Sequence, residues 1–462
     1  MKTTSFRGVC SLLLAFVLTL SLSAAETFQP HEILRVHLRS YFGFIQAMTS
    51  FTSQVSPQAT GKLLFLSALP SMNPEFAAIN LNRPITALLL TGAGTVKNKT
   101  GEYAPDLFPC AAVQLRQNAD GKASTAGGVR YSRLSLPDGR TLLYEPNPLY
   151  DKMIRTKAST FFPVRRDLPM LYLEMDLASL SQLPFIRDGI SQAVTSATVG
   201  NDDLQPEELT RELEKAIRQT EKISFGVNFP NEQTLEIKLG VTMKPGTETV
   251  RLFEGQKNKF DFSRIPILGT ATEIYLLHIP DNQKLKDFLI RQVRQTTLPA
   301  AFLENCIQSA SGAVLSSTDR KTGQTKSYLA LRSGSVRPLL EFMKKDPTIR
   351  ELSPGLWIID YQEDGVSTYA KVADNGLYLV SGRISEVTAK RILDNRTPLP
   401  AGVKLDSDFF AVFKKQENSD TFSRIGAIRC SGNRFNGEIL LQPSDFPQPD
   451  ISPRNIRPST GK

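Results

Sequence analysis

Two stretches of this chain, YSRLSLPDGRTLLYEP from Tyr131 and YAKVADNGLYLVSG from Tyr369, can be laid over one another with a single gap. Each sets a turn between alternating apolar residues, Pro137-Asp138-Gly139 in the first and Asp374-Asn375-Gly376 in the second. Both positions of Asp138-Gly139 tolerate positive φ, and each stretch predicts a hairpin. The same succession then follows both. A helix is predicted from about Pro148 to Arg155 and again from Ile384 to Leu393. A proline-marked linker comes next, Phe161 to Pro169 and then Pro398 to Pro400, and leads into an apolar strand, Met170 to Asp176 and Phe409 to Phe413. Closing hairpins are predicted at Ile223–Phe229 with Thr234–Met243, turning at Pro230-Asn231, and at Ile425–Ser431 with Glu438–Leu441. A repeated order of this kind restricts the chain to two copies of one unit. The fold class it predicts is α+β: duplicated units of antiparallel sheet with helices packed on one face, preceded by an N-terminal amphipathic helix.

That leading helix is predicted over about 30–55, because Leu34, Leu38, Tyr41, Ile45, Met48 and Val55 fall on one helical stripe. A second helix is predicted from Asp202 or Asp203 to Lys222, and a further strand, helix and hairpin series runs through Glu273–His278, Gln283–Thr296, Gly312–Ser317 and Ser327–Arg332. The expected organisation is an N-terminal helical segment at 26–79, a first unit at 80–244, a linker at 245–270, a second unit at 271–442 and a disordered tail at 443–462. Pro245-Gly246 opens the linker, and the tail is rich in Pro, Ser and Asn.

Residues 1–25 read as a secretory signal peptide. Lys2 and Arg7 form the basic head, Leu12 to Leu22 the apolar core, and Ser23-Ala24-Ala25 the small residues before Glu26. The core is about half the length needed to span a bilayer. No later stretch is apolar for long enough, so no transmembrane segment is expected after cleavage, and the address is periplasmic or extracellular. Cleavage removes Cys10 and leaves Cys110, Cys306 and Cys430, which can supply one bridge with one leftover thiol or three buried thiols.

Much chemistry is missing. Three His and four Cys in 462 residues cannot build a dense zinc array or a disulfide-stapled scaffold. No GxSxG elbow occurs, and no histidine follows His278 to act as the base of a triad. No GxxxxGK[ST] loop occurs either, and Gly92-Ala93-Gly94 has Lys97 where a dinucleotide fingerprint needs glycine, so it reads as a loop. His31 and His37 are six apart and do not share a helical face. Carboxylate pairs remain, Glu174 with Asp176 on a strand and Asp360, Glu363 and Asp364 about a turn. Trp357 lies in Leu356–Asp360, which reads as a buried strand. No catalytic residue, cofactor site or metal site is assigned.

Formal net charge is +9, and Lys2 and Arg7 fall in the removable segment, so the field of the mature chain is mildly positive. No basic block is interleaved with aromatics, which excludes a nucleic-acid footprint. The candidate surface for an anionic partner is Lys284, Lys286, Arg291 and Arg294 on the helix whose apolar stripe is Leu285, Phe288, Leu289 and Val293, with Arg383, Lys390 and Arg391 on the later helix. The same residues also suit an ordinary solvated helix face.

The segments DLPMLYLEMDLASLSQLPF, KISFGVNFPNEQTLEIKLGV and YAKVADNGLYLVSGRISEVTAKRIL resemble exported bacterial proteins of unknown function with repeated strand-helix-hairpin units. The resemblance rests on pattern, spans roughly residues 80–441 and brings no catalytic residues. The expected function is a non-enzymatic binding or scaffold module of the periplasm or cell envelope, its partner an anionic envelope polymer, lipid head groups or an envelope protein. The alternatives are a carboxylate-dependent hydrolase of envelope polymers and a carrier of an apolar ligand. Intact-mass measurement of the chain exported by a bacterial host is expected to give Glu26 as the first residue; a mass retaining residues 1–25 refutes the cleavage.

Overall fold

The computed structural model describes residues 31–55, 60, 78–97, 103–116, 131–163, 165, 167–180, 192, 206–253, 265–279, 282–293, 299–363, 365–373, 376–400, 403, 408–416 and 419–445. The expected signal peptide lies outside the described residues, as does the expected tail beyond a short 3-10 turn at Pro443–Asp445. The chain divides into two compact units, Met1–Leu239 with Leu440–Lys462, and Gly240–Ile439. The fold is α+β, with helices set against antiparallel sheet. Among the described residues no helix is long and apolar enough to cross a membrane.

The first unit is organised about strand β1 (His31–Leu38), where a helix was expected. Leu34 and Leu38 are four apart, a spacing that suits a helix and a strand equally. The residues between them decide: Leu34, Val36 and Leu38 alternate with Arg35 and His37, the period of a strand. Helix α1 (Tyr41–Val55) begins only after Ser40, whose Oγ accepts the Gly43 N–H at 3.0 Å, and it buries Phe44, Ile45 and Phe51. The N-terminal segment is therefore no separate appendage, because β1 is a middle strand of the first sheet. It pairs antiparallel with β2 (Ile85–Lys97) on one side and β6 (Leu171–Met175) on the other. Outward from β2 come β3 (Tyr103–Val113), β5 (Thr141–Tyr144) and β4 (Ser132–Ser135); outward from β6 comes β7 (Thr220–Asn231).

β4 and β5 form the predicted hairpin, with Gly139 at φ +82°. The next turn falls at Glu232-Gln233 instead of Pro230-Asn231, with Asn231 Oδ1 accepting the Gln233 N–H at 2.9 Å before β8 (Thr234–Met243). Gly92-Ala93-Gly94, expected as a loop, lies within β2. Helix α2 (Pro148–Phe161) lays Tyr150, Ile154 and Ala158 on Leu88, Phe108 and Leu142, with the Phe108 and Tyr150 rings stacked at 4.1 Å. Short α3 (Leu177–Leu180) and α4 (Pro206–Gln219) lie in the β6–β7 connection.

The second unit opens with α5 (Glu248–Phe253) inside the expected linker. The end of that stretch is core: Ile265, Ile267 and Leu268 are buried, as the apolar run Ile265 to Leu268 requires. Then come β9 (Glu273–Ile279), α6 (Gln283–Val293), α7 (Ala300–Ser309), β10 (Ala310–Asp319), β11 (Gln324–Leu331), α8 (Val336–Lys345), β12 (Ile349–Ser353), β13 (Leu356–Glu363), β14 (Val366–Ala373), β15 (Gly376–Gly382), α9 (Glu386–Asp394), β16 (Asp408–Lys415), β17 (Phe422–Ser431) and β18 (Arg434–Leu441). The registered pairings order its sheet β12-β13-β14-β15-β11-β10-β9-β16-β17-β18, antiparallel throughout. The sheet is covered more fully than expected. Alternate residues of β11 face opposite ways, Tyr328 and Ala330 into a layer with α9 and Ile267, Leu329 and Leu331 into a layer with Phe302 and Cys306 of α7 and Leu339 and Met343 of α8. Trp357 is buried in the second of these layers, as its strand context predicted.

The two orders correspond. In the first unit β4-β5-β3-β2-β1-β6-β7 pair as β14-β15-β11-β10-β9-β16-β17 pair in the second, and α2 follows its hairpin as α9 does. Superposing by strand order brings Glu32-Ile33 and His37 of EILRVHL onto Glu273-Ile274 and His278 of EIYLLHI. One difference is local. Ile33 is a bulge in the β1–β2 pairing, whereas β9 pairs with β10 without interruption. Glu32 therefore shares a face with Arg35 and His37, while Glu273 points away from the side of His278.

Gly376 opens β15 under the Tyr328 ring, and a Cβ there would overlap that ring. Tyr328 is itself packed on Tyr378 at 5.0 Å between centroids, so it has little room to move aside. Gly376→Ala is expected to lower unfolding free energy by about 1–3 kcal/mol in urea titrations, as overpacking does; an unchanged midpoint would show that the ring is free to move.

Candidate functional site

Lys286 corrects the basic-face expectation. Lys284 is exposed on α6, but Lys286 is wholly buried, its Nζ donating to Gln308 O at 3.3 Å and Ala310 O at 2.5 Å. Those carbonyls belong to the C-terminal end of α7, where a helix has oxygens without partners and a partial negative charge. The amine closes that end of the helix and is unavailable to an external anion. Arg294 and the side chain of Arg291 lie outside the described residues, so the four residues do not assemble a site among those described. On α9 and just before it, Lys390, Arg391 and Arg383 are exposed.

The same device recurs at other helix ends. Lys326 of β11 is buried, and its Nζ donates to Ile392 O at 2.8 Å and Asn395 O at 2.7 Å, at the C-terminal end of α9. Burial, together with the nearby Arg396, draws the Lys326 pKa down to about 8. At the end of α2, Arg35 donates to Phe161 O at 3.1 Å and Arg140 to Phe162 O at 2.6 Å, while Arg39 reaches Leu168 O at 2.5 Å further along the same linker. Three helices are thus closed by cations reaching out of neighbouring elements.

His37 lies within this arginine group. It is buried, with Nδ1 at 2.9 Å from Thr86 Oγ1. Burial comes first, then repulsion from Arg140, Arg39, Arg35 and Arg165, and together they pull its pKa down to about 4. The imidazole is neutral near pH 7. Across the same face Arg35 Nε donates to Glu32 Oε1 at 2.8 Å, and Tyr172 Oη donates to Glu174 Oε2 at 2.7 Å.

The two carboxylates of the expected pair are each engaged by neighbouring groups. Burial pushes the Glu174 pKa up, but hydrogen bonds from Tyr172 and Lys222, the latter at 3.1 Å, outweigh it and leave the pKa below the ordinary value. A general acid needs the opposite shift. Asp176 caps α3 instead, accepting from Ser179 N at 3.1 Å and Ser179 Oγ at 2.7 Å. The side chains of Asp360, Glu363 and Asp364 lie outside the described residues. Cys110, Cys306 and Cys430 are all free thiols, so no bridge joins them, and burial pushes each thiol pKa up, away from nucleophilic character. Among the described residues no three His, Cys, Asp or Glu are grouped to hold a metal ion.

A different polar group lies on the second sheet. Reading the pairings across strands puts Lys414 of β16, Glu273 of β9, Thr318 of β10, Thr325 of β11, Ser381 of β15 and Thr368 of β14 in one row on one face. Tyr275, Ser316 and Ser327 form a shorter row beside it. Hydroxyls pair across the strands: Ser316 with Ser327 at 2.9 Å, Thr318 with Thr325 at 3.1 Å, and Thr368 with Ser381 at 2.9 Å. Glu273 is buried, accepts from Tyr275 Oη at 2.5 Å, and is paired with Arg320 Nε at 2.6 Å. The signal for this row was in the sequence, as Ser316, Thr318, Thr325 and Ser327 at strand spacing, but it shows only once the register is known. The lysine signal was also present. Lys326 has the parity of Tyr328 and Ala330, which face the core.

No protein-family profile matches the sequence. No curated protein matches it either. Three crystal forms of TP0453 from Treponema share remote backbone likeness. Form IV has TM-score 0.23 and 12% identity over 39% of this chain and 94% of that one. Form III has 0.24 and 11% over 39% and 95%, and form I has 0.22 and 9% over 38% and 93%. Likeness at this level carries no argument about function.

His37 makes a pH prediction. Its pKa is about 4 in the folded chain against the ordinary 6.5, so between those values the unfolded chain binds more protons and stability rises with pH. Acidification from pH 6.5 to 4 is expected to draw stability down by this route, and His37→Gln should flatten that part of the curve in denaturant titrations at stepped pH. Identical slopes for the two proteins would remove His37 as the cause.

Proposed function

We propose that this chain is an exported, non-catalytic binding or scaffold module of the periplasm or cell envelope. The observation that carries the reading is how its buried ionisable groups are used. Lys286 and Lys326 are bonded to helix-end carbonyls, Arg35 to Glu32 and Phe161 O, and Glu273 to Arg320 and Tyr275. Groups that an enzyme would hold poised for proton transfer or nucleophilic attack are spent here on holding helices and strands together. Glu174 and Asp176, the pair on which a hydrolase reading rested, are likewise committed, the first as a stabilised carboxylate and the second as a helix cap.

The pattern of a basic head, apolar core and small residues before Glu26 supports export, and the polar row on the second sheet offers a surface for recognition. A pull-down of envelope extract with the mature chain at low salt is expected to recover a protein or polymer that is released as ionic strength is raised to about 0.5 M, where surface attractions are largely screened. Recovery of nothing, or turnover of an envelope polymer by the purified chain, would overturn the reading.

A further inference from the structure

The second sheet carries a feature that its sister in the first unit lacks. Matched strand by strand, Tyr275, Ser316, Thr325 and Ser327 stand where the first unit has Leu34, Leu89, Leu107 and Pro109. In the first unit Leu34, Leu89 and Leu107, with Ile33 and Met175, close into an apolar cluster. Thr318 alone matches a hydroxyl, Thr91, so the scaffold has no need of hydroxyls at the other positions. In the second unit the polar row crosses six strands; Thr368 at its far end is buried, and the remaining five strands span roughly 19 Å at about 4.8 Å per strand, which is the reach of a linear polymer more than of a small molecule.

We propose that this row is a ledge that binds an acidic polysaccharide. Each cross-strand hydroxyl pair uses one O–H internally and retains a second O–H and lone pairs, the donor and acceptor mixture that sugar hydroxyls require. Ser316, Thr318, Thr325, Ser327 and Ser381 are only partly buried. Charge at one end selects the acidic polymer. Glu273, the carboxylate of the row, is 2% exposed and offset by Arg320, whose side chain is 65% exposed, while Lys414 lies directly across from Glu273 and Lys321 is exposed in the adjoining turn. The end of the ledge is net positive, so a glycan bearing carboxylates is attracted and a neutral one is not.

The proposal rests on the binding-module reading and names the partner for it. The test measures binding of the mature full chain to polygalacturonate, with dextran and phosphatidylglycerol vesicles beside it, by calorimetry. The variant is the double substitution Thr318→Val with Thr325→Val, which removes both members of a hydroxyl pair, orphans neither and keeps β-branched shape. Salt-sensitive binding of polygalacturonate, none of dextran, and at least a tenfold loss in a variant of unchanged melting temperature are the expected results. Should the variant melt early, Ser316→Ala with Ser327→Ala repeats the measurement on the neighbouring pair. No binding at low salt, undiminished binding by a folded variant, or binding to vesicles without the glycan would overturn the ledge. An extract partner recovered equally by wild type and variant would overturn the ledge while leaving the binding-module reading intact.

Discussion

A helix that ends against a sheet leaves carbonyl oxygens where water reaches them poorly, and a buried carbonyl without a donor costs about 1–3 kcal/mol. Both units meet that cost with cations. Lys286 serves the end of α7, Lys326 the end of α9, and Arg35 with Arg140 the end of α2. The helix dipole makes the end of a helix a favourable place for positive charge, and burial strengthens the attraction while penalising an unpaired cation. The lowered pKa of Lys326 records that balance. Removing such a residue takes away the anchor that fixes where a helix stops and a linker begins.

The matched strand order describes a scaffold used twice and finished differently. Both units keep a hairpin, a following helix and a strand that returns to the middle of the sheet. The first closes its α1 face with Phe44 and Ile45 against Val227, and a cluster about Leu34 and Leu89. The second adds β12 and β13 and covers part of the corresponding face with α7 and α8, while the row from Glu273 to Thr368 remains hydroxylic. Differences between copies show which polar residues the scaffold itself does not demand.

Much of this was legible in the sequence. The Asp138-Gly139 hairpin, the pairing of β14 with β15, the strand at Phe409–Phe413 and the buried place of Trp357 follow from local turn chemistry and alternation. What failed was pattern shared by two periods. Leu34 and Leu38 satisfied a helix and a strand together, and only Arg35 and His37 between them, facing the opposite way, betray the strand. Helices α7 and α8 went unanticipated, being short segments whose burial depends on the sheet beneath them. The role of Lys286 was beyond local reading, since its partners are carbonyls more than twenty residues away.

The bulge at Ile33 has an effect out of proportion to its size. Strands address their two sides by odd and even count, so one additional residue exchanges the address of everything before it. Glu32 and Glu273 occupy the same place in matching strings, yet the first becomes an internal brace for Arg35 and the second a post at the end of the polar row. A strand order used twice can thus give one residue two occupations without changing its identity. Roles carried from one half of this chain to the other hold only when the pleat, and not merely the alphabet, has been counted.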